Sequence, residues 1–562
     1  MAVQLVGRIE TGDDLLDGDL RDIDIVTGAG GSFLYASTGQ AGGISVWRLR
    51  ADGGLAQLAD STHFDVRGMA IGQFDAISLD GQEQIVLGGT GDGKLIRYRI
   101  ESDGGLSGSG KIDLPGLTTQ NHSALAGVAL NDGRTAIYTV DAKTGLLSGW
   151  LSSGKGGLSD VIGPSGPAPA FSLKGPVLLD PVRIGNSDFL LIADSGTQGV
   201  QSYRIAPATG RLTAVDTLDA TEGLAVSLPT ALQTVTAHGV TWAVLAAAGS
   251  NSLSVMQLTE SGQLIPTDHI LDTRGTRFAG VTALEVVTVG DHVFVLAGGA
   301  DDGISLFALL PDGHLVHLQS LAQDCGLGLE NVTDITAVQI GDRIQIFVSS
   351  GATAGLSQFV LPLQSLGDVI QADSGGGSSS LSGTQDADLM LGRAGQTTLL
   401  GRAGDDILVS DESGGILTGG GGADLFVLSA TDQVLRITDF EAGIDRLDLT
   451  RFPMLRSIEQ LTLIPTATGV TILYGTTRIE IVSRDGDTLT ADDLWPLGFL
   501  TPDRIAFLPA GPILGSPASD VIMGDDGDNT IKGGNGNDRI HGGGGADELH
   551  GEAGDDLIWG GP

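Results

Sequence analysis

At 562 residues, and with domains of roughly 150 residues, the chain has room for three or four domains and is not a small stapled scaffold. Thirty Lys and Arg against 69 Asp and Glu give a formal charge of −39, which repels nucleic acid and anionic membranes and favours cations. Glycine numbers 88 and aromatics are 4%, while 41% of residues are hydrophobic; this excludes a disordered polyelectrolyte and fits short strands joined by tight turns.

The opening stretch MAVQLVGRIETGDD lacks a basic region followed by an apolar block, so it does not read as a cleaved secretory signal. No stretch of about 18 residues is free of charges and turn formers, so no membrane span is expected. From there to about residue 370 the chain repeats. A turn-plus-leucine signature recurs as Asp52-Gly53-Gly54-Leu55, Asp103-Gly104-Gly105-Leu106, Lys155-Gly156-Gly157-Leu158, Thr209-Gly210-Arg211-Leu212, Ser261-Gly262-Gln263-Leu264 and Asp312-Gly313-His314-Leu315. A degenerate seventh ends at Leu366, and successive leucines are 51, 52, 54, 52, 51 and 51 residues apart.

Each unit reads as four strands, clearest in the sixth: GVTALEVVTVG, HVFVLAGG, GISLFALL and HLVHLQSLA. Four short strands bounded by Gly or Asp-Gly form a propeller blade, and seven units predict seven blades. A ring must close to avoid a bare edge. The segment VQLVGRIE resembles an outermost strand and is expected to complete the last blade by pairing with GLSQFVLP.

The stretches FLYASTGQAGGISVWRLRADGGL and FLLIADSGTQGVQSYRIAPATGRL resemble the seven-bladed lactonase-type propeller family, which includes 6-phosphogluconolactonases. That resemblance implies a site on the face whose loops enter each innermost strand. His63, Arg67, His122, Glu222, Arg274 and Arg277 fall there. Arg binds carboxylates and His or Glu activates water, so His122, Glu222, Arg274 and Arg277 are the catalytic candidates for lactone opening. The family's His-rich blade entry is reduced here to Asn121-His122-Ser123. Three other features read as structural. Gly88-Gly89-Thr90-Gly91-Asp92-Gly93-Lys94 has Leu95 where a phosphate loop needs Ser or Thr. Asp301-Asp302 reads as a solvated turn, and the lone Cys325 as a small buried residue that leaves no partner for a disulfide.

After the Gly/Ser-rich joint QADSGGGSSSLSG the period becomes nine. Residues 515–523, 524–532, 533–541, 542–550 and 551–559 read GSPASDVIM, GDDGDNTIK, GGNGNDRIH, GGGGADELH and GEAGDDLIW. These resemble the RTX nonapeptide, in which three residues carry an apolar side chain into a parallel β-roll and six turn sharply. The sixth positions, Asp520, Asn529, Asp538, Asp547 and Asp556, then supply oxygen ligands for Ca2+ together with main-chain carbonyls. Residues 515–562 hold 10 acidic against 2 basic residues, a repulsion that cations would neutralise.

An earlier block, GTQDADLML, GRAGQTTLL, GRAGDDILV, SDESGGILT and GGGGADLFV over 383–427, points Met390, Leu399, Leu408, Leu417 and Phe426 inward. Repeats 18 residues apart share a side of the roll. One side therefore carries Asp388, Asp406 and Asp424, and the other Thr397 and Gly415, so calcium is expected on one side of this block and on both sides of the later one. ITDFEAGIDRLDLTRF then resembles the segment after the roll in serralysin-type proteins, which implies that it leads to antiparallel strands, here LTLIP, GVTILYG, RIEIVS and LTADDLW.

The expected architecture is all-β: a seven-bladed propeller (1–371), a linker (372–382), a first roll (383–427), an antiparallel extension (428–514) and a second roll (515–562). The RTX resemblance implies type I secretion by a Gram-negative bacterium and folding in external calcium, with the propeller expected to be indifferent to that ion. The leading function is a secreted calcium-binding protein whose propeller is a surface, matrix or ligand-binding module. Self-association or a surface glycan or protein is the expected partner. An extracellular lactonase-type hydrolase is the alternative.

Overall fold

The computed structural model describes residues 2–39, 42–64, 74–79, 81–88, 94–115, 122–141, 145–153, 157–162, 177–324, 326–372, 379–393, 395–496, 498–499, 503–504, 513–514, 519–523, 529–542 and 546–561. Among the described residues the chain is built of strands, with two one-turn α-helices, Asp14–Asp17 and Ala491–Leu494; the second replaces the strand expected at LTADDLW, because Thr490 and Asp493 cap a helix start there. No helix among the described residues is long and apolar enough to cross a membrane. Seven antiparallel sheets follow one another to Pro362, so the blade number expected from the leucine spacing is observed. Blade one is Leu20–Gly28, Gly31–Thr38, Gly43–Arg48 and Gln57–His63.

The recurrent turn signature marks the contact between blades. The Tyr35 hydroxyl donates to the Gly104 carbonyl at 2.8 Å, and Tyr138 to that of Gly210 at 2.6 Å. The leucine amide that follows donates to an aspartate of the preceding blade: Leu106 to Asp60 at 2.8 Å, Leu264 to Asp216 at 2.8 Å and Leu315 to Asp268 at 2.7 Å. A Cβ on Gly104 would collide with Phe33, and one on Gly262 with Phe189. Both glycines also have positive φ, at 85° and 93°, where other residues are strained.

Ring closure uses the N-terminus, as expected. Strand Gln4–Ile9 pairs antiparallel with Leu356–Pro362, in register from Gln4 opposite Val360 to Ile9 opposite Leu356. It thereby takes the outermost place in blade seven. The strand that follows the degenerate seventh signature, Leu366–Gln371, lies within the span expected for the propeller but pairs in parallel with Ala387–Leu391 and starts the first roll.

That roll is longer than its nonapeptides. One sheet runs Leu366–Gln371, Ala387–Leu391, Ile407–Val409, Leu425–Ser429 and Arg446–Arg451, all parallel. The other begins in the expected linker at Ser379–Ser382 and passes through Thr397–Ala403, Gly415–Gly421, Val434–Phe440 and Thr477–Ser483. Among the described residues of this roll, Gly469–Tyr474 and Thr462–Thr466 add the antiparallel strands, whereas RIEIVS runs parallel to Val434–Phe440. Met390, Leu399, Leu408, Leu417 and Phe426 are all buried between the sheets, and the core continues through Leu435, Ile437 and Phe440. The second roll has two three-stranded parallel sheets, which include Thr530–Lys532 and Arg539–His541.

The first roll packs against the propeller. Leu310 and Val316 of blade six join Leu389, Leu391, Val409, Leu425 and Val427 in one apolar cluster. Asp503–Arg504 adds a fifth strand to blade five, with Arg504 opposite Ile270. Arg504 also grips buried Asp268 through Nε at 2.6 Å and Nη2 at 3.1 Å. Because each of these charges is paired and further hydrogen-bonded, the cost of burying them is offset.

Candidate calcium site and propeller face

The sixth-position aspartates stack into ladders. In the first roll the Asp388 amide donates to Asp406 Oδ1 at 2.8 Å and the Asp406 amide to Asp424 Oδ1 at 3.0 Å. The Asp424 amide continues the pattern to Asp445 Oδ1 at 3.0 Å, a rung outside the nonapeptide register. On the opposite side Thr397 lies beside Gly415, with the Thr397 hydroxyl on its own Gly395 carbonyl. No sixth-position carboxylate stands on that side. The second roll carries a ladder on each side. Asp520, Asp538 and Asp556 form one through amide bonds of 2.8 and 2.9 Å, and Asn529 with Asp547 forms the other at 3.0 Å.

At the inner rungs one carboxylate oxygen is taken by an amide and the second is left, whereas at Asp388 and Asp445 the second oxygen also accepts an amide, from Thr384 at 2.6 Å and Glu441 at 2.8 Å. The Oδ2 atoms of Asp406, Asp424, Asp538 and Asp547 are buried and have no hydrogen-bond partner. Glycine at the first position of the repeat makes room for them. A Cβ on Gly401, Gly419, Gly533 or Gly542 would press on Oδ2 of Asp406, Asp424, Asp538 or Asp547 respectively. Burial, with repulsion from neighbouring acids, pushes Asp406 and Asp424 up to about 7 and Asp445 up to about 6. Orphaned buried oxygens, a glycine cradle and an all-oxygen donor set fit a hard divalent cation such as calcium. Among the described residues no three His, Cys, Asp or Glu side chains gather as a metal cluster, so main-chain carbonyls must complete each shell.

Among the described residues, His63 ends the outer strand of blade one, and Glu222 and the Arg274–Arg277 pair lie in two separate connections that enter innermost strands. Glu222 ends a short helical turn, Ala220–Glu222, where burial and the nearby Asp216 and Asp219 raise its carboxyl. Arg274 and Arg277 share one loop, in which Arg277 donates to the Arg274 and Thr276 carbonyls and faces Asp301 at 3.5 Å. Asp302 accepts the Asn331 amide at 2.9 Å, so the Asp301-Asp302 turn is tied to its neighbours. His63 meets Asp13 at 3.0 Å. The His122 backbone opens strand His122–Ala129; its side chain, Arg67, Cys325 and most of the Gly88–Lys94 turn lie outside the described residues.

A group with no sequence signal of its own occupies the centre of the ring. Asp22 accepts the Phe74 amide at 2.7 Å, Asp75 that of Gly127 at 3.0 Å, Gln233 that of Val286 at 2.7 Å, Glu285 that of Ala337 at 2.9 Å and Asp334 that of Ile23 at 2.8 Å. Asp180 bonds Thr234 in the same manner. These side chains staple innermost strands of neighbouring blades, and Asp22, Gln233, Glu285 and Asp334 line a cavity of about 240 Å³. Burial pushes Asp75, Asp180 and Asp334 up to about 7 and Glu285 up to about 8, and raises Asp22 and Asp24. Isolated acids within apolar strands read as ordinary edge residues; only their recurrence about 52 residues apart, as in Gln233 and Glu285, could have marked them.

Comparison with curated proteins gives no match. The chain does carry four copies of the RTX calcium-binding nonapeptide repeat, at residues 373–408, 382–417, 514–549 and 541–562, two in the first part of the first roll and two in the second roll.

Proposed function

We propose that this is a secreted calcium-binding protein whose rolls order in extracellular calcium and whose propeller is the surface, matrix or ligand-binding module they carry. The observation that supports it most is the buried, partnerless Oδ2 of Asp406, Asp424, Asp538 and Asp547, each facing a first-position glycine. Such oxygens are costly to bury without a proton or a cation. Asp388, Asp406 and Asp424 are the ligand set of the first roll, along one side. Asp520, Asn529, Asp538, Asp547 and Asp556 are that of the second, along both.

In this role calcium neutralises the stacked carboxylates and adds its binding free energy to folding. The protein's own contribution is to present one oxygen at each of Asp406, Asp424, Asp538 and Asp547 while the amide ladder fixes the other. The test is circular dichroism of the full chain titrated with calcium from a chelated start. A gain of β signal with a midpoint at roughly 10⁻⁴ to 10⁻³ M, the usual range for extracellular calcium modules, is expected. A spectrum indifferent to calcium would overturn the reading.

A further inference from the structure

In the first roll, the side that carries the aspartate ladder is also the side that meets the propeller. Residues seven and nine of the ladder repeats point out of the roll and are all apolar: Leu389 and Leu391, Ile407 and Val409, Leu425 and Val427. They form the apolar cluster shared with Leu310 and Val316 of blade six. Their counterparts in the other sheet are Thr398 and Leu400, then Ile416 and Thr418, and Ile416 is 42% exposed.

Every rung is therefore one residue away from a propeller contact. Asp388 precedes Leu389, Asp406 precedes Ile407 and Asp424 precedes Leu425. The ends of the ladder are anchored in the same way. At one end the Asp368 amide donates to Asp388 at 2.7 Å, and the carbonyl of adjacent Gly367 meets His292 Nε2 of blade six at 3.1 Å. At the other end Asp445 is followed by Arg446, whose guanidinium donates to the Leu318 and His317 carbonyls at 2.9 and 3.2 Å. Farther along the same strand Arg451 pairs with Asp312 at 2.5 Å.

We propose that calcium on the ladder from Asp388 to Asp445 docks the first roll onto blade six, so that the ion controls the union of the two halves of the molecule. This rests on the calcium reading above and extends it to the propeller, which the nonapeptides alone gave no reason to include. Stacked carboxylates without a cation repel, so the spacing of the strands on which Leu389, Ile407, Leu425 and Arg446 sit is lost. With it goes the registry of an interface that needs all four strands in place. With the ladder neutralised, the apolar face is presented as one flat surface and the two anchors fall opposite their partners.

The experiment is amide hydrogen exchange on the full chain, in calcium and in chelator, read in three places: the roll core around Leu399, the outer strand of blade six (Leu315–Ala322) and the outer strand of blade one (Gln57–His63). Chelation is expected to speed exchange on the order of tenfold or more in the first two and to leave blade one unchanged. Asp406→Asn with Asp424→Asn, measured in calcium, should reproduce the change in blade six, whereas Asp547→Asn in the second roll should not. If the roll core responds to chelation while Leu315–Ala322 does not, docking is independent of calcium and this proposal fails alone. If the roll core is indifferent, the calcium reading fails and takes the proposal with it.

Discussion

Two glycines in successive nonapeptides, Gly392 and Gly401, occupy the same first position yet stand in different surroundings. A methyl group on Gly401 would press on Asp406 Oδ2 and on the Gly419 carbonyl, whereas one on Gly392 would meet the Thr397 Cβ at 3.4 Å, an ordinary contact. Gly401→Ala should therefore move the calcium midpoint of the first roll upward by roughly tenfold, the lower end of what disturbing the support of a metal ligand costs. Gly392→Ala should leave it in place. Calcium titration followed by circular dichroism checks the pair, and equal shifts would contradict the one-sided arrangement. The sixth-position carboxylates were legible because the repeat fixes them. Asp445 was not, because it follows Asp424 by 21 residues rather than 18 and so falls out of register, although its carboxylate takes the same amide.

Among elements, the N-terminal strand fills the outermost place of blade seven, as expected, and leaves the segment after the seventh signature without a place there. The signature before Leu366 marks an outermost strand of a seventh blade by its spacing, and LGDVIQ has the composition of one. Yet an outermost strand adds only one ladder of hydrogen bonds to its blade, and Gln4–Ile9 supplies that ladder, so Leu366–Gln371 is released to the roll. The pairing of VQLVGRIE with GLSQFVLP was legible because a ring needs a closing strand. The recruitment of Ser379–Ser382 was not, since a Gly/Ser-rich run carries no apolar alternation. Deleting residues 1 to 10 should expose the edge at Leu356–Pro362 and lower the propeller's Tm by more than about 5 °C. Differential scanning calorimetry in saturating calcium reads this, and an unchanged Tm would mean that blade seven does not need the strand.

For the molecule as a whole, the central acids set a pH dependence of unusual sign. Burial raises Asp75, Asp180 and Asp334 to about 7 and Glu285 to about 8, so the folded ring holds protons that an unfolded chain releases above about pH 4. Where the folded state binds more protons, stability falls as pH rises. As far as these groups are concerned, the propeller should be most stable below about pH 4, lose stability as the pH climbs from there to 7 or 8, and level off above that. Saturating calcium keeps the roll carboxylates out of the comparison. Asp180→Asn and Glu285→Gln, which keep an acceptor oxygen for Thr234 and Ala337, should flatten the slope. Thermal melts from pH 5 to 9 decide the matter, and an identical slope in wild type and double variant would refute it.

The seam between Gln4–Ile9 and Leu356–Pro362 also has a kinetic side. Its partners are separated by more than 340 residues of chain, so the last bonds of the ring form only after all intervening blades have been made. Folding rates fall as contacts become less local, which places ring closure late and makes it slow. The same topology acts in reverse on the finished molecule. A closed ring presents no free blade from which fraying can spread, and opening must start at the one junction held by two distant pieces of the chain. The barrier at that seam therefore governs how long the propeller survives, more than the stability of any single blade.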